Sequence, residues 1–470
     1  MCFILERLGI NFDFLTKIML KLLVCTLILF ILVLTELVAE DWPQWLGVNR
    51  DAVWQETGII NTFDESKPEL IWKTEIGGGY SGPAVSDGRV FVMDRVGHDT
   101  ELKDGGLLHT GEPPGNLNFV KRMLAGFERV LCLQEKTGRI IWEYKYDCPY
   151  RSVAIYAIGP RATPTVDEDR VYTLGSEGDL LCLAVETGNL LWSRKLRVEF
   201  EASTPEWGFS AHPLVDNSKL ICMVGGENST VVAFDKLTGK EIWRSGNAKQ
   251  PGYCAPTIYT LGGKRQLIVW DSDRLRALNP ETGKPYWELD IKPTFSMSIG
   301  VPQHEGNRLF VMSYSHVSAM VEVAEDGNGA EVIWRGDTTR GMGGVFNTAT
   351  IRNGYVYGCD QNGRYMCISL DDGQRKWSTF EPSTGFRPAS WANVFTVQNG
   401  DNYWLFNDLG DVMIAKMNPQ NFRMVSKTHL IEPTHRVGSR MVVWSHPALA
   451  NACVFIRNDE EIRCYNVAQQ

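Results

Sequence analysis

A chain of 470 residues is long enough for two or three ordinary domains, and its net charge of −9 argues against a surface of clustered Lys and Arg that would bind nucleic-acid phosphates irrespective of sequence. Charges of both signs are interspersed, with no long run of one sign to mark a disordered tail. Length implies several domains only where the chain does not repeat itself, and this one does.

The uncharged segment 22–34 follows Lys21 and precedes Val38-Ala39, the layout of a secretory signal peptide. It is shorter than the ~20 residues a membrane span needs. Leu37 stands where a small residue is preferred, and Met19 is a more ordinary start than Met1. The expectation is a signal peptide over 1–39, with a retained anchor as the alternative, so membrane contact is expected only through an uncleaved N-terminal segment. No Cys follows Ala39, which argues against a lipid-modified N-terminus.

Residues 40–69 read as an irregular lead-in, and 70–470 as a repeat. Glu135-Lys-Thr-Gly138 precedes Trp142, and Glu186-Thr-Gly188 precedes Trp192. The same step recurs at Gly239/Trp243, Gly283/Trp287 and Gly373/Trp377, is stretched by one residue at Gly329/Trp334, and is degenerate at Asn421/Val425. From Trp142 to Trp377 the successive tryptophans of this Gly-then-Trp step lie 43 to 51 residues apart, the period of a four-stranded propeller blade. In one unit Ala162–Val166, Arg170–Leu174, Leu180–Leu183 and Leu190–Arg194 read as strands between Asp-, Glu- and Gly-rich turns. The Thr-Gly turn suits a tight hairpin, where glycine takes the positive φ.

Units begin near Gly82, Gly159, Gly208, Gly252, Ser296, Met342, Arg387 and Val442, predicting an all-β, eight-bladed propeller. The last unit stops after three strands, and segment 70–75, with Trp72 in the repeat register, is expected to supply its fourth. The first unit carries an insertion over 96–128, with a short helix expected through Phe119–Phe127, on the face where the channel opens. Gly77-Gly-Gly79 is read as the bend into the first blade. Cys132, Cys182, Cys367 and Cys464 share one repeat position and are expected to be buried and unbridged, whereas Cys148 and Cys254 lie in loops and are open to oxidation. His316 is read as a core residue of a strand.

These units resemble the pyrroloquinoline-quinone-type propeller repeat, on Thr137-Gly138…Trp142, Thr187-Gly188…Trp192, Thr238-Gly239…Trp243 and Thr282-Gly283…Trp287. The opening Asp41-Trp-Pro-Gln-Trp45 and Asn49-Arg-Asp51 are similar to the start of exported bacterial propellers, either quinone-binding-like or like the outer-membrane assembly lipoprotein BamB. The resemblance implies the fold and an envelope location. It does not fix an activity, because one fold hosts many.

A quinoprotein dehydrogenase would need acidic or amide oxygens to seat Ca²⁺, a carboxylate base and, in many relatives, a vicinal Cys pair. Residues entering each first strand line the channel mouth and include Tyr80, Arg161, His212, Tyr253, Phe346, Trp391, Trp444 and His446, with no clear carboxylate pair; the nearest acid is Glu206. No adjacent Cys pair exists and no His spacing suits zinc. Two readings follow. One is a non-enzymatic, monomeric scaffold of the periplasm or cell envelope that takes proteins or peptides at the mouth, with no cofactor and no metal. The alternative is an oxidoreductase dependent on pyrroloquinoline quinone and Ca²⁺.

Overall fold

The computed structural model describes residues 40–63, 67–97, 124–150 and 159–469. Eight four-stranded antiparallel sheets form a ring, an eight-bladed β-propeller. Blades 1 to 7 span 84–147, 165–195, 214–245, 257–289, 303–335, 350–379 and 394–429, each with its strands in chain order from the axis outward. Blade 8 takes three strands from 448–466, and its outer strand is Glu69–Glu75, paired antiparallel with Glu461–Asn466. Both ends of the repeat thus meet in one sheet, which leaves no seam of unpaired strand edges between first and last blade.

The repeat has a packing explanation. The Gly of each Thr-Gly turn takes a left-handed conformation, φ +70° at Gly188, and lies flat against the Trp of the preceding blade. A Cβ on Gly188 would stand 2.5 Å from Trp142 Cε3. The same contact joins Gly138 to Trp72, Gly239 to Trp192, Gly283 to Trp243 and Gly373 to Trp334. The indole N–H of each Trp then donates to a carbonyl of that next turn: Trp72 to Glu135, Trp142 to Val185, Trp192 to Lys236, Trp243 to Pro280, Trp334 to Leu370 and Trp377 to Asn418, at 2.6 to 3.1 Å. Each Trp therefore clips its own blade to the next, and Trp72 closes the circle.

The two irregular copies obey the same rule. Trp287 faces the stretched turn of blade 5 and donates instead to Gln266 Oε1 at 2.8 Å. The Gln266 amide in turn donates to Gly327 in that turn at 3.2 Å, so a side chain relays the missing clip. Val425 replaces Trp in blade 7, where the following blade has no Thr-Gly turn: its third and fourth strands come from opposite ends of the chain. Inside each blade a small or unbranched residue sits opposite the Trp. Cys132, Cys182, Cys367 and Cys464 pair with Trp142, Trp192, Trp377 and Trp72, and all four thiols are buried and unbridged.

Three expectations change. Cys148 and Cys254 lie in loops but are fully buried, and burial lifts both thiols well above the usual range, so neither is poised for oxidation. The helix expected through Phe119–Phe127 gives way at its C-terminal end to a bridge of Leu124 with Tyr150 and a strand, Gly126–Gln134, paired with Arg89–Gly97; residues 119–123 lie outside the described residues. The inner pairing outcompetes the helix because Phe127, Arg129 and Leu131 continue the alternation of the strand. His316 sits in a half-exposed turn at φ +63° and not in a core strand.

Candidate functional site: the channel mouth

Blade-to-blade connectors and second-to-third-strand loops share one face of a propeller, and here that face opens into a cavity of about 320 Å³. All eight connectors contribute. The residues singled out in the sequence by register, Tyr80, Arg161, His212, Tyr253, Phe346, Trp391, Trp444 and His446, line this one cavity. They converge because each lies just before the innermost strand of its blade, with seven blades represented and blade 8 contributing both Trp444 and His446. Trp45, Trp207, Phe295, Met297, Ile299, Tyr314 and Val345 complete the apolar wall, with Ser210.

Trp45 comes from outside the repeat. Residues 40–63 form isolated bridges only and cross the opposite end of the ring. Trp42 pairs with Val85 of blade 1, Pro43 accepts from Val166 of blade 2, and Val53 bridges to Gln398 of blade 7. Buried Arg50 fixes the crossing by donating to Pro256 at 2.7 Å, Pro213 at 2.6 Å and His212 at 3.2 Å, all backbone carbonyls. The lead-in is thus a plug, and it sets Trp45 as the floor of the cavity, stacked on His212 with ring centres 4.4 Å apart and 8° between planes.

His212 Nδ1 accepts from Thr163 N at 2.8 Å, which puts the proton of the neutral ring on Nε2. Burial, with His446 and Arg50 nearby, holds His212 well below the ordinary imidazole range. Burial also lowers His446 to about 3. Both rings are therefore neutral at pH 7. A chamber of about 20 Å³ beneath the floor is lined by Trp45, Thr163 and His446. Trp45 Nε1, Thr163 Oγ1 and His446 Nε2 have no protein partner, a set of donors and acceptors that suits one water molecule.

Arg161 is the one fixed charge among the described lining residues and lies over the Tyr80 ring at 4.5 Å. Trp444 is buried, packs on Phe346 with ring centres 4.3 Å apart, and donates to Asp408 Oδ2 at 3.4 Å. Asp408 is also paired with Arg440 at 2.8 Å, from a hairpin of His435–Val437 and Arg440–Val442 between blades 7 and 8. This hairpin, missed in the sequence because its strands are three residues each, packs Val437 and Val442 on Tyr80 and Trp444. The rim differs: Phe295 is 55% exposed and Trp391 half-exposed, and Phe386, in the blade 6–7 connector that carries Trp391, is 80% exposed. Phe295 and Trp391 hold φ values of 53° and 61°, a backbone state that costs bulky side chains about 1 kcal/mol or more and clusters at binding sites.

The lining was tested against a quinone cofactor with Ca²⁺. Its described oxygen donors are the hydroxyls of Ser210, Tyr80, Tyr253 and Tyr314, with no carboxylate and no carboxamide, and Glu206 is not among them. Hard divalent cations are held by several carboxylate or carbonyl oxygens. The residues present do not fit that pair, and no redox step is derived from them. Among the described residues no group of three His, Cys, Asp or Glu side chains could hold a metal ion.

Comparison with known proteins places the chain. The model of the family described as outer membrane protein assembly factor BamB matches residues 56–197 and 126–379, well over half of the sequence. The chain belongs to the BamB family. BamB of Yersinia pestis is 22% identical over 249 residues, 49% of this chain and 59% of that protein. The shared region thus spans less than two thirds of that relative's length. Lupanine 17-hydroxylase [cytochrome c] of a Pseudomonas species is 23% identical over 53% of this chain and 30% of its own length. The quinohemoprotein alcohol dehydrogenase of Comamonas testosteroni superimposes with a TM-score of 0.58 at 12% identity, covering 92% of this chain and 81% of that one. That likeness is one of fold.

Proposed function

We propose that this BamB-family chain is a non-enzymatic interaction scaffold of the cell envelope that engages protein partners through the channel-mouth face. The observation that carries the reading is the rim: Phe295 and Trp391, exposed and half-exposed, border an apolar cavity whose described lining holds no acid, and Phe386, 80% exposed, stands in the same blade 6–7 connector as Trp391. Exposed aromatics at the centre of a rigid face are the usual anchors of protein interfaces. The names of the relatives, assembly factors of the outer membrane, supply the setting and the class of partner. On this reading the chain is exported, acts as a monomer and needs no cofactor.

The test is capture of envelope proteins by the purified chain and by the variant Phe295→Ser/Phe386→Ser/Trp391→Ser. These side chains are exposed or half-exposed, so the ring should stay folded while specific capture falls at least tenfold. Unchanged capture would place the interface elsewhere. Trp444 is unsuitable for this purpose because it is buried against Asp408.

A further inference from the structure

Phe295 and Trp391 belong both to the rim and to the cavity wall, so the cavity is continuous with the face proposed to dock partners. Its chemistry sets what can fill it. Nine of its sixteen described lining residues are Trp, Tyr or Phe, so rings dominate the wall. They stand in clusters drawn from different parts of the ring of blades. Trp207, from the blade 2–3 connector, meets Tyr253, from the blade 3–4 connector, with ring centres 5.8 Å apart and 60° between planes. Phe295, from the blade 4–5 connector, lies 6.2 Å from Tyr314 in a loop of blade 5. Trp444 packs on Phe346 at 4.3 Å and on Tyr80 at 5.7 Å. A flat ring that enters among these clusters meets edges and tilted faces, the geometry aromatic pairs prefer and one that adds to the area they bury. An aliphatic side chain would gain the area alone.

The charges around the cavity are engaged. Arg161 lies over the Tyr80 ring at 4.5 Å. Asp408, behind Trp444, is paired with Arg440 at 2.8 Å and accepts from the Trp444 indole. Arg50, behind the floor, donates to three backbone carbonyls. Charges of both signs thus stand behind or in the wall, each with a partner of its own. A charged side chain entering here would lose its hydration without a counter-ion to replace it. At about 320 Å³ the space is at the small end of ligand pockets, room for a bulky side chain rather than for a folded segment.

We infer that the mouth holds a partner protein by one neutral aromatic side chain, which projects from the partner's surface into the cavity while Phe295 and Trp391 close around it. The inference rests on the scaffold reading and names the chemistry of its partner. Interfaces concentrate their energy in such central, water-excluding pockets, and the contacts around them chiefly keep solvent out. The left-handed backbones of Phe295 and Trp391, at φ 53° and 61°, fix where these two edge rings stand.

Ligand-observed NMR titration of the full chain with N-acetylphenylalaninamide, N-acetylleucinamide and N-acetyllysinamide tests the chemistry. The aromatic probe is expected to saturate and to bind about fivefold tighter than the aliphatic one, and the cationic probe not to saturate. Ser210→Trp and Met297→Trp each fill the cavity from a half-buried wall position and leave Phe295, Phe386 and Trp391 in place. Whichever keeps the native circular dichroism should bind the probe, and capture envelope proteins, about tenfold more weakly. Excess aromatic probe should also lower capture by the unaltered chain. No saturation by the aromatic probe up to about 10 mM, or binding of the leucine or lysine probe as tight as the aromatic one, would overturn the inference. Full capture by a folded filled variant, alongside lost capture in Phe295→Ser/Phe386→Ser/Trp391→Ser, would overturn it and leave the scaffold reading standing. Unchanged capture in that triple variant would instead overturn the scaffold reading and, with it, the inference.

Discussion

Replacing Gly188 with alanine should loosen the join between blades 1 and 2 far more than a turn glycine ordinarily allows. Gly188 has φ +70°, and an added Cβ would stand 2.5 and 2.6 Å from Cε3 and Cδ2 of Trp142, which cannot retreat without leaving Val185. The left-handed backbone costs about 1–2 kcal/mol for alanine. Displacing a packed ring adds about 1–3 kcal/mol, and losing the indole hydrogen bond about 1 kcal/mol. The sum is about 3–6 kcal/mol by those same increments. Gly88 is the internal control: its φ is +72° and nothing lies within 4 Å of its Cβ position, so Gly88→Ala should cost only the backbone term. In a Trp142→Ala background the Gly188→Ala cost should fall to the control value, since the clash partner is gone. Guanidinium unfolding gives the ranking. Hydrogen exchange in Ile140–Asp147 and Leu190–Lys195 localises it, which matters because a ring of repeats need not unfold in one step. If Gly188→Ala costs no more than Gly88→Ala, the clip between glycine and tryptophan is not what fixes the repeat.

Four further outcomes are expected. Gln266→Ala should destabilise by about 2 kcal/mol or more, because it orphans the Trp287 N–H and the bonds to Leu261 and Gly327 together; unfolding midpoints decide. The folded protein should lose stability as pH falls below about 6.5, the unfolded imidazole value, because burial lowers His212, His435 and His446 and a depressed pKa favours the neutral form. For His446, lowered to about 3, the loss continues until pH nears that value, and His446→Phe should flatten the profile. Among the described cysteines, a thiol reagent on the native protein should react first at half-exposed Cys453, with Cys148 and Cys254 silent until unfolding, scored by mass spectrometry. Titration with pyrroloquinoline quinone and Ca²⁺ should show no saturable absorbance change and no dye-linked alcohol oxidation, and turnover would sink the scaffold reading.

The fold was legible because its signal is stereochemical. A Gly that must lie against an indole and a Trp that must reach the next turn cannot drift apart, so the step survives in five regular copies, and its two irregular copies mark the stretched turn that Trp287 faces and the blade after Val425, which has no such turn. The channel-mouth residues were legible through that same register, which brings Tyr80, Arg161 and His446 to one level from blades remote in sequence. Trp45 was not, although Asp41-Trp-Pro-Gln-Trp45 stood out as a motif: a segment outside the repeat has no register, and only tertiary bonds such as those of Arg50 show that it crosses the ring. Phe295 and Tyr314 escaped for a related reason. They sit in loops whose backbone, at φ 53° for Phe295, is set by packing that no periodicity reports. The His435–Val442 hairpin was lost because two strands of three residues carry too little alternation to read.

The most direct measurement is site-specific photo-crosslinking in cells, with the photoreactive residue placed at Phe386 on the mouth rim and, as control, at Ile141 on the outer strand of blade 1, itself 38% exposed. The scaffold account predicts discrete crosslinked partners at Phe386 that vanish when Phe295 and Trp391 are replaced by serine, and none of the same species at Ile141. Identical adducts at both positions, or none at Phe386, would contradict it.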